Sequence, residues 1–403
     1  MQGRNGLYDL FSLCSLFSEK VLFLLADLPK SKERKDCAGE RQVRLEEIYL
    51  PIKKELDRIE NELRSQLLSS EDKFILKVNE YLLDNVGKRL RPSLLLLSAK
   101  TNNHWDEKAI PAAAALELIH TASLVHDDVL DEATLRRKRV TINARWGNEP
   151  AILTGDYLYF KAFSILSQLE VARISAIVSF AAEMMCEGEI IQTCKTFQLD
   201  LSEEDYLEII RKKTACLIAA SCEVGAVLSG SSPQIQESLA QYGLNFGIAF
   251  QIIDDCLDLI SLSGKTGKST YKDFVQGKMT LPLIYLAREL SKEKGQKTRG
   301  LFEKNREEII NLLKDYGAIE YSWQKAKEYL DAARDCLEIL GDSRAKEALS
   351  LLSDYLLESL SPDFQKEPTV SVLGSSRADS EHTADKEREM GDKGSRSKRE
   401  GRL

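Results

Sequence analysis

The chain has 403 residues, 43% of them hydrophobic and 30% charged, which is enough apolar material for one large core with appendages. Its net charge of −8 argues against binding nucleic acid by phosphate neutralisation. The eight cysteines (14, 37, 186, 194, 216, 222, 256 and 336) show no CxxC spacing and the four histidines form no zinc pattern, so the thiols are expected to be reduced, buried small hydrophobes of a cytoplasmic protein. In chain order, residues 1–45 hold "LYDLFSLCSLFSEKVLFLLADL", interrupted by Asp9, Glu19, Lys20 and Asp27. That falls short of the roughly 18 uninterrupted apolar residues of a spanning helix and fits a removable signal peptide poorly. The segment is expected to be an extension with an accessory helix that touches a membrane surface or a partner.

From Leu45 the apolar residues recur at three and four positions, as in "LEEIYLPIKKELDRIENELRSQLL". "SEEDYLEIIRKKTACLIAASCEVGAVLSG" opens on a Ser and Glu capping signature and closes on glycine. No run alternates as a strand would. Residues 46–362 are therefore expected to form one all-α domain, a bundle of about ten or more helices. No aromatic follows Phe364, and residues 363–403 carry mixed charge with hardly any aliphatic side chains. Such a tail cannot offset its ordering entropy and is expected to be disordered.

The chemistry concentrates in two acid clusters. "LVHDDVLDEATLRRKR" packs Asp127, Asp128, Asp131 and Glu132 ahead of four basic residues, with no glycine or proline to turn the chain. Asp127 and Asp131, four apart, would rise from one helix face about 6 Å from each other. Their repulsion is unfavourable unless something positive sits on them, and hard oxygen ligands at that spacing suit Mg²⁺ bridging to phosphates. "FQIIDDCLDLI" repeats the pattern with Asp254, Asp255 and Asp258, and places Gln251 on the same face. A lone DDxxD is usually a solvated helix face. Two copies at the ends of apolar helices, where unpaired charge is expensive, point to a divalent-metal clamp for a diphosphate.

These motifs, with "GKRLRP" upstream and "KMTLPL" downstream, resemble the trans-isoprenyl diphosphate synthase (polyprenyl synthetase) family over residues 46–362. The resemblance implies an isoprenoid-synthase-like helical bundle around a central cavity. It implies Mg²⁺-dependent condensation of isopentenyl diphosphate onto an allylic diphosphate, three Mg²⁺ ions per site, and a homodimer. Asp127, Asp131 and Asp254 would be metal ligands, with Asp128, Asp255 and Asp258 completing the motifs. Arg136 would meet the allylic diphosphate, together with Lys213 and Thr214 of "RKKTACLI", Gln251, Lys268 of "TGKST" and Lys278. Arg137, Lys88, Arg91 and His120 would meet isopentenyl diphosphate. The departing diphosphate would take the proton, since no protein base is evident. One departure is Tyr271-Lys272-Asp273, where the family usually has a glycine before the aspartate; it unsettles the placement of Lys268.

Ala122 and Ser123, the fifth and fourth residues before Asp127, are small where short-product relatives tend to place an aromatic floor. This predicts a medium-to-long product of roughly C30 or longer, the length used for quinone side chains, because a packed interior admits a growing tail only where side chains leave room. Tyr157, Tyr159 and Phe160 could close the channel deeper down. The rival readings are a shorter-chain farnesyl or geranylgeranyl diphosphate synthase, a terpene synthase, and a non-catalytic prenyltransferase subunit. An apparent second-substrate pocket counts against the terpene synthase, and retention of all six aspartates counts against the subunit.

Overall fold

A computed structural model describes residues 44–84, 87–102, 104–137, 139–260, 274, 276–294, 301 and 304–358. The charged tail at 363–403, Lys268, Tyr271 and nearly all of the N-terminal extension lie outside the described residues.

The described elements are almost all helical, as the periodicity implies. In chain order they are α1 (Leu45–Ile48), a 3₁₀ turn (Leu50–Ile52), α2 (Lys53–Leu67), α3 (Lys73–Leu83), α4 (Leu90–Ala99) and α5 (Ala109–Leu130). A hairpin of β1 (Leu135–Arg136) and β2 (Arg139–Val140) follows, then α6 (Ile142–Trp146), α7 (Asn148–Gln168), α8 (Ala172–Cys194) and α9 (Glu203–Ile210). A π-helical turn (Arg211–Ala215) leads into α10 (Cys216–Leu228), α11 (Pro233–Ile260), α12 (Leu281–Lys294), α13 (Arg306–Asp315), α14 (Ala318–Cys336) and α15 (Arg344–Glu358).

Two long helices organise the core. α5 packs against α2, α4 and α7, and α11 packs against α10 and α14. By length and composition α5 would cross a membrane, yet 72% of its apolar window is buried inside the protein, so it is the bundle's central helix. Its alanines, Ala112 to Ala115, have no exposed surface and allow close helix approach. Local signals set the helix starts: Asp72 Oδ1 accepts from the Phe74 and Ile75 amides at 2.8 and 3.0 Å, and Ser202 Oγ accepts from the Asp205 amide at 3.0 Å.

Three expectations are corrected. The helix carrying the first acid cluster does not continue through the arginines. It ends at Leu130, Glu132 takes a left-handed backbone (φ 48°), and the chain turns into the hairpin. The segment from 202 to 230 is not one α-helix, because the π turn interrupts it at Lys213 and Thr214. A π turn inserts one extra residue per turn, and such insertions recur at functional sites. Cys186 and Cys194 are exposed rather than buried, while the six described cysteines are all free.

Candidate active site

The end of α5 delivers the first motif. Asp127 and Asp131 line a cavity of about 250 Å³ together with Ser123, Lys213, Gln251 and Lys278. Asp128, rotated away on the same helix, accepts from Arg136 Nε at 3.0 and 3.2 Å through its two oxygens. The hairpin is what brings Arg136 back to the helix end it has just left. It is fixed there by Tyr81, whose hydroxyl donates to the Val140 carbonyl at 2.6 Å, and by Asn143, which donates to the Asp128 and Ala133 carbonyls. Burial pushes the Asp127 carboxyl up to about 6, with Lys213 opposing and Glu189 and Asp131 adding. Burial pushes Asp128 up to about 7 against the pull of Arg136. Acids raised this way call for a positive ligand.

The opposite wall comes from α8, the π turn and α11. Lys213 Nζ pairs with Glu189 and donates to Gln192 Oε1 at 2.8 Å. Thr214 Oγ1 donates to Gln251 Oε1 at 2.8 Å, Gln251 Nε2 donates to Asp255 Oδ1 at 2.8 Å, and the Tyr206 hydroxyl donates to Asp255 Oδ2 at 2.7 Å. Burial raises Asp255 to about 6 even though both hydrogen bonds favour its charged form. Lys213 lines the same cavity as Asp127 and Asp255, and its charge favours the ionised form of both. The turn fits because α8 and α11 offer glycines: a Cβ on Gly188 would lie 2.6 Å from the Lys213 nitrogen, and one on Gly247 2.6 Å from Ala215 Cα.

The second motif presents a different face from the first. Asp255, with Gln251 one turn before it, lines the cavity, whereas Asp254 and Asp258 have no exposed surface and do not. Successive helical residues are about 100° apart, and in this structure that rotation turns Asp255 to the cavity and Asp254 toward the helix's packed side. Lys278 reaches the first motif, 3.2 Å from Asp131 Oδ1.

A second cavity of about 80 Å³ adjoins the first, lined by Gly87, Arg89, Glu117, His120, Arg136 and Arg137 among apolar residues of α2, α3 and α5. His120 and Arg136 border both cavities. Desolvation, then Arg91 and Arg136, hold His120 well below the usual histidine range, so it is neutral. Arg91 lines the larger cavity, and its Nε and Arg136 Nη1 are buried with no hydrogen-bond partner. The Lys88 ammonium is buried too. Unanswered buried guanidinium donors suit phosphate oxygens.

Of the two residues expected to gauge the channel, Ser123 lines the larger cavity and Ala122 sits in the core with no exposed surface. Tyr159 on α7 lines the same cavity with Met185 and Cys186 of α8, Tyr157 packs against the core, and Phe160 is exposed. Sequence reasoning missed Glu189, Gln192 and Tyr206. Their signal was weak, because single polar residues on amphipathic helices look like surface until the tertiary fold turns them inward. Among the described residues no group of three or more acids, histidines or cysteines converges as a self-sufficient metal site.

A helical bundle with Asp127, Asp131 and Asp255 on one cavity, cations around it and a second basic pocket beside it can hold two phosphorylated substrates side by side. The polyprenyl synthetase profile matches residues 72–317. The chain is 36% identical over 316 residues to the short chain isoprenyl diphosphate synthase of Methanothermobacter thermautotrophicus, covering 76% of this chain and 97% of that protein. It is 34% identical over 287 residues to the octaprenyl diphosphate synthase of Escherichia coli K12, covering 70% and 89%. The crystal structure of a decaprenyl diphosphate synthase from Rhodobacter capsulatus superposes with a TM-score of 0.73 at 33% identity, covering 78% of this chain and 98% of that one. The chain belongs to the polyprenyl synthetase family, whose members use isopentenyl and allylic diphosphates and are Mg²⁺-dependent in general. It is a trans-prenyl diphosphate synthase. The relatives' names run from short-chain to decaprenyl, so membership leaves product length open.

Proposed function

We propose that this prenyltransferase makes a medium-to-long all-trans product, roughly C30 or longer, for quinone side chains; the small side chain of Ser123 on the cavity wall supports it, since a tail needs empty volume in a close-packed interior. The observation that carries the reading is Ser123, a small side chain on the cavity wall one helical turn below Asp127. A second reading, a geranylgeranyl-length product, is supported by Tyr159, an aromatic on the same cavity.

Asp127 and Asp131 on α5, and Asp254 on α11 by the family pattern, would hold three Mg²⁺ ions. Bound Mg²⁺ would supply Lewis-acid stabilisation of the leaving diphosphate. Arg136, Lys213, Thr214, Gln251, Lys268 and Lys278 would orient the allylic diphosphate, and Lys88, Arg91, His120 and Arg137 the isopentenyl one. Asp128 and Asp255 would in addition orient Arg136 and Gln251, whose hydrogen bonds they accept. Closed around both substrates, the cavity would keep water from the developing allylic cation.

A homodimer is supported by exposed apolar side chains on α7 and α8, Leu153, Phe160, Phe180 and Ile190, each more than 60% exposed. Free thiols at all six described cysteines are in keeping with a cytoplasmic enzyme. The domain limits 1–45, 46–362 and 363–403 are part of the same reading. Incubating the protein with Mg²⁺, labelled isopentenyl diphosphate and farnesyl diphosphate, then sizing the products by chain length, tests it. Accumulation of geranylgeranyl diphosphate as the end product would replace the long-chain reading with the second one.

A further inference from the structure

Arg89 lies between the two basic residues assigned to isopentenyl diphosphate, one position after Lys88 and two before Arg91, and its side chain does something different. It is only 12% exposed and runs into the protein, where Nη2 donates to Glu60 Oε2 of α2 at 3.0 Å and Nη1 donates to Glu117 Oε1 of α5 at 2.7 Å. Its backbone is left-handed (φ 54°, ψ 38°), and its carbonyl accepts the first hydrogen bond of α4 from Ser93 at 2.8 Å. Glycine would satisfy that backbone without strain. An arginine held there implies that the side chain over-determines the conformation.

Two of the three residues also border the smaller cavity. Arg89 and Glu117 line the smaller cavity with His120, which follows Glu117 by three positions on α5. Glu117 is also the strongest carboxylate attraction on Arg91, partly countering the burial that lowers its affinity for a proton. Arg137 closes the other side: its Nη2 lies 2.9 Å from where a Cβ on Gly87 would stand, so the guanidinium rests on the loop's first residue. The Gly87–Arg89 loop is thus gripped from the cavity by Arg137 and from the interior by Glu60 and Glu117.

We propose that Arg89, clamped by Glu60 and Glu117, is the positioning residue of the isopentenyl diphosphate pocket, setting the direction of Lys88 and Arg91 without touching substrate itself. The inference rests on the assignment of Lys88 and Arg91 to that substrate. A bidentate fork between two helices fixes both its own backbone and the residues on either side of it, and displacing paired phosphate donors weakens binding of the group they face. Because Lys88 and Arg91 are assigned to isopentenyl diphosphate, the effect is expected on that substrate's KM.

Arg89→Gly keeps the left-handed backbone and removes the fork, while Glu60→Gln and Glu117→Gln keep shape and remove one charge each. The expected result is a KM for isopentenyl diphosphate raised about tenfold or more in Arg89→Gly and about threefold in the single glutamine variants, with the allylic KM within about twofold of the parent. Arg89→Lys, able to keep one carboxylate, is expected to fall between the two. Lys88→Ala is run alongside as the pocket control. If Lys88→Ala raises the isopentenyl KM while folded Arg89→Gly, or the glutamine variants should that one not fold, leave it unchanged, the positioning role is overturned. The same holds if only the melting temperature and the active fraction fall. If Lys88→Ala itself leaves that KM unchanged, the pocket assignment fails and takes the inference with it.

Discussion

Tyr206 donates its hydroxyl hydrogen to Asp255 Oδ2 at 2.7 Å, in a buried contact between residues 49 positions apart in the chain. Gln251 holds the other carboxylate oxygen, and Thr214 holds Gln251, so a four-residue chain joins α9, the π turn and α11. Tyr206→Phe removes one donor and keeps the ring. Partners of this kind typically cost 10–100-fold in affinity or activity when lost, so kcat should fall by about that range with the melting temperature changed by only a few degrees. Steady-state kinetics beside thermal denaturation checks it, and unchanged turnover would show that Asp255 needs no orientation.

The metal requirement gives the second test. Asp127→Ala should lower kcat by orders of magnitude with the fold intact, because the leaving group loses its counter-charge, and EDTA should do the same to the parent enzyme. Asp254→Ala should match it in kcat. Since Asp254 is fully buried, its replacement also removes a packed side chain, and circular dichroism is needed to separate the two effects. Full turnover in EDTA would exclude the metal role.

Lys213 and Arg91 should split the substrates. Lys213→Ala should raise the allylic KM more than the isopentenyl one, and Arg91→Ala the reverse, each removing charge-assisted phosphate contacts of about 1.5–3 kcal/mol. Equal effects on both KM values from both variants would contradict the two-pocket assignment.

The π turn is testable through its neighbours. Gly188→Ala places a Cβ 2.6 Å from the Lys213 nitrogen, a backbone atom that cannot swing aside. Overpacking of this kind costs about 1–3 kcal/mol, and it should displace Lys213, so activity should drop more than stability explains. Gly247→Ala, against Ala215 Cα, should behave likewise. A variant of normal stability and normal allylic KM would show that the turn tolerates the shift.

The channel residues now separate. Ser123→Phe puts a ring on the cavity wall and should shorten the product to roughly C15–C20 while the first condensation persists, because a close-packed wall cannot admit both ring and tail. Ala122→Phe, in the sealed core, should destabilise the protein instead. Tyr159→Ala should lengthen the product if its ring is the barrier. Products of parental length from folded Ser123→Phe would show that the tail takes another path.

Much of this enzyme is written in local order. The helices follow from apolar spacing, their starts from Asp72 and Ser202, and the acid motifs from residues four apart on one helix, all of which need only neighbouring positions. What the chain's order could not state is which side of a helix the fold covers. α11 carries Asp254, Asp255 and Asp258 at the spacing of α5, yet packing against α10 and α14 turns Asp255 to the cavity and buries the other two. The bend after Leu130 depends on a left-handed Glu132 and on Tyr81 and Asn143 holding the hairpin, none of which resembles a turn signal. Glu189, Gln192 and Tyr206 enter the site only because helices distant in sequence meet there. Residue type and spacing determine the chemistry available; burial, which sums contributions from the whole chain, decided which of those groups face the substrate and which hold them in place.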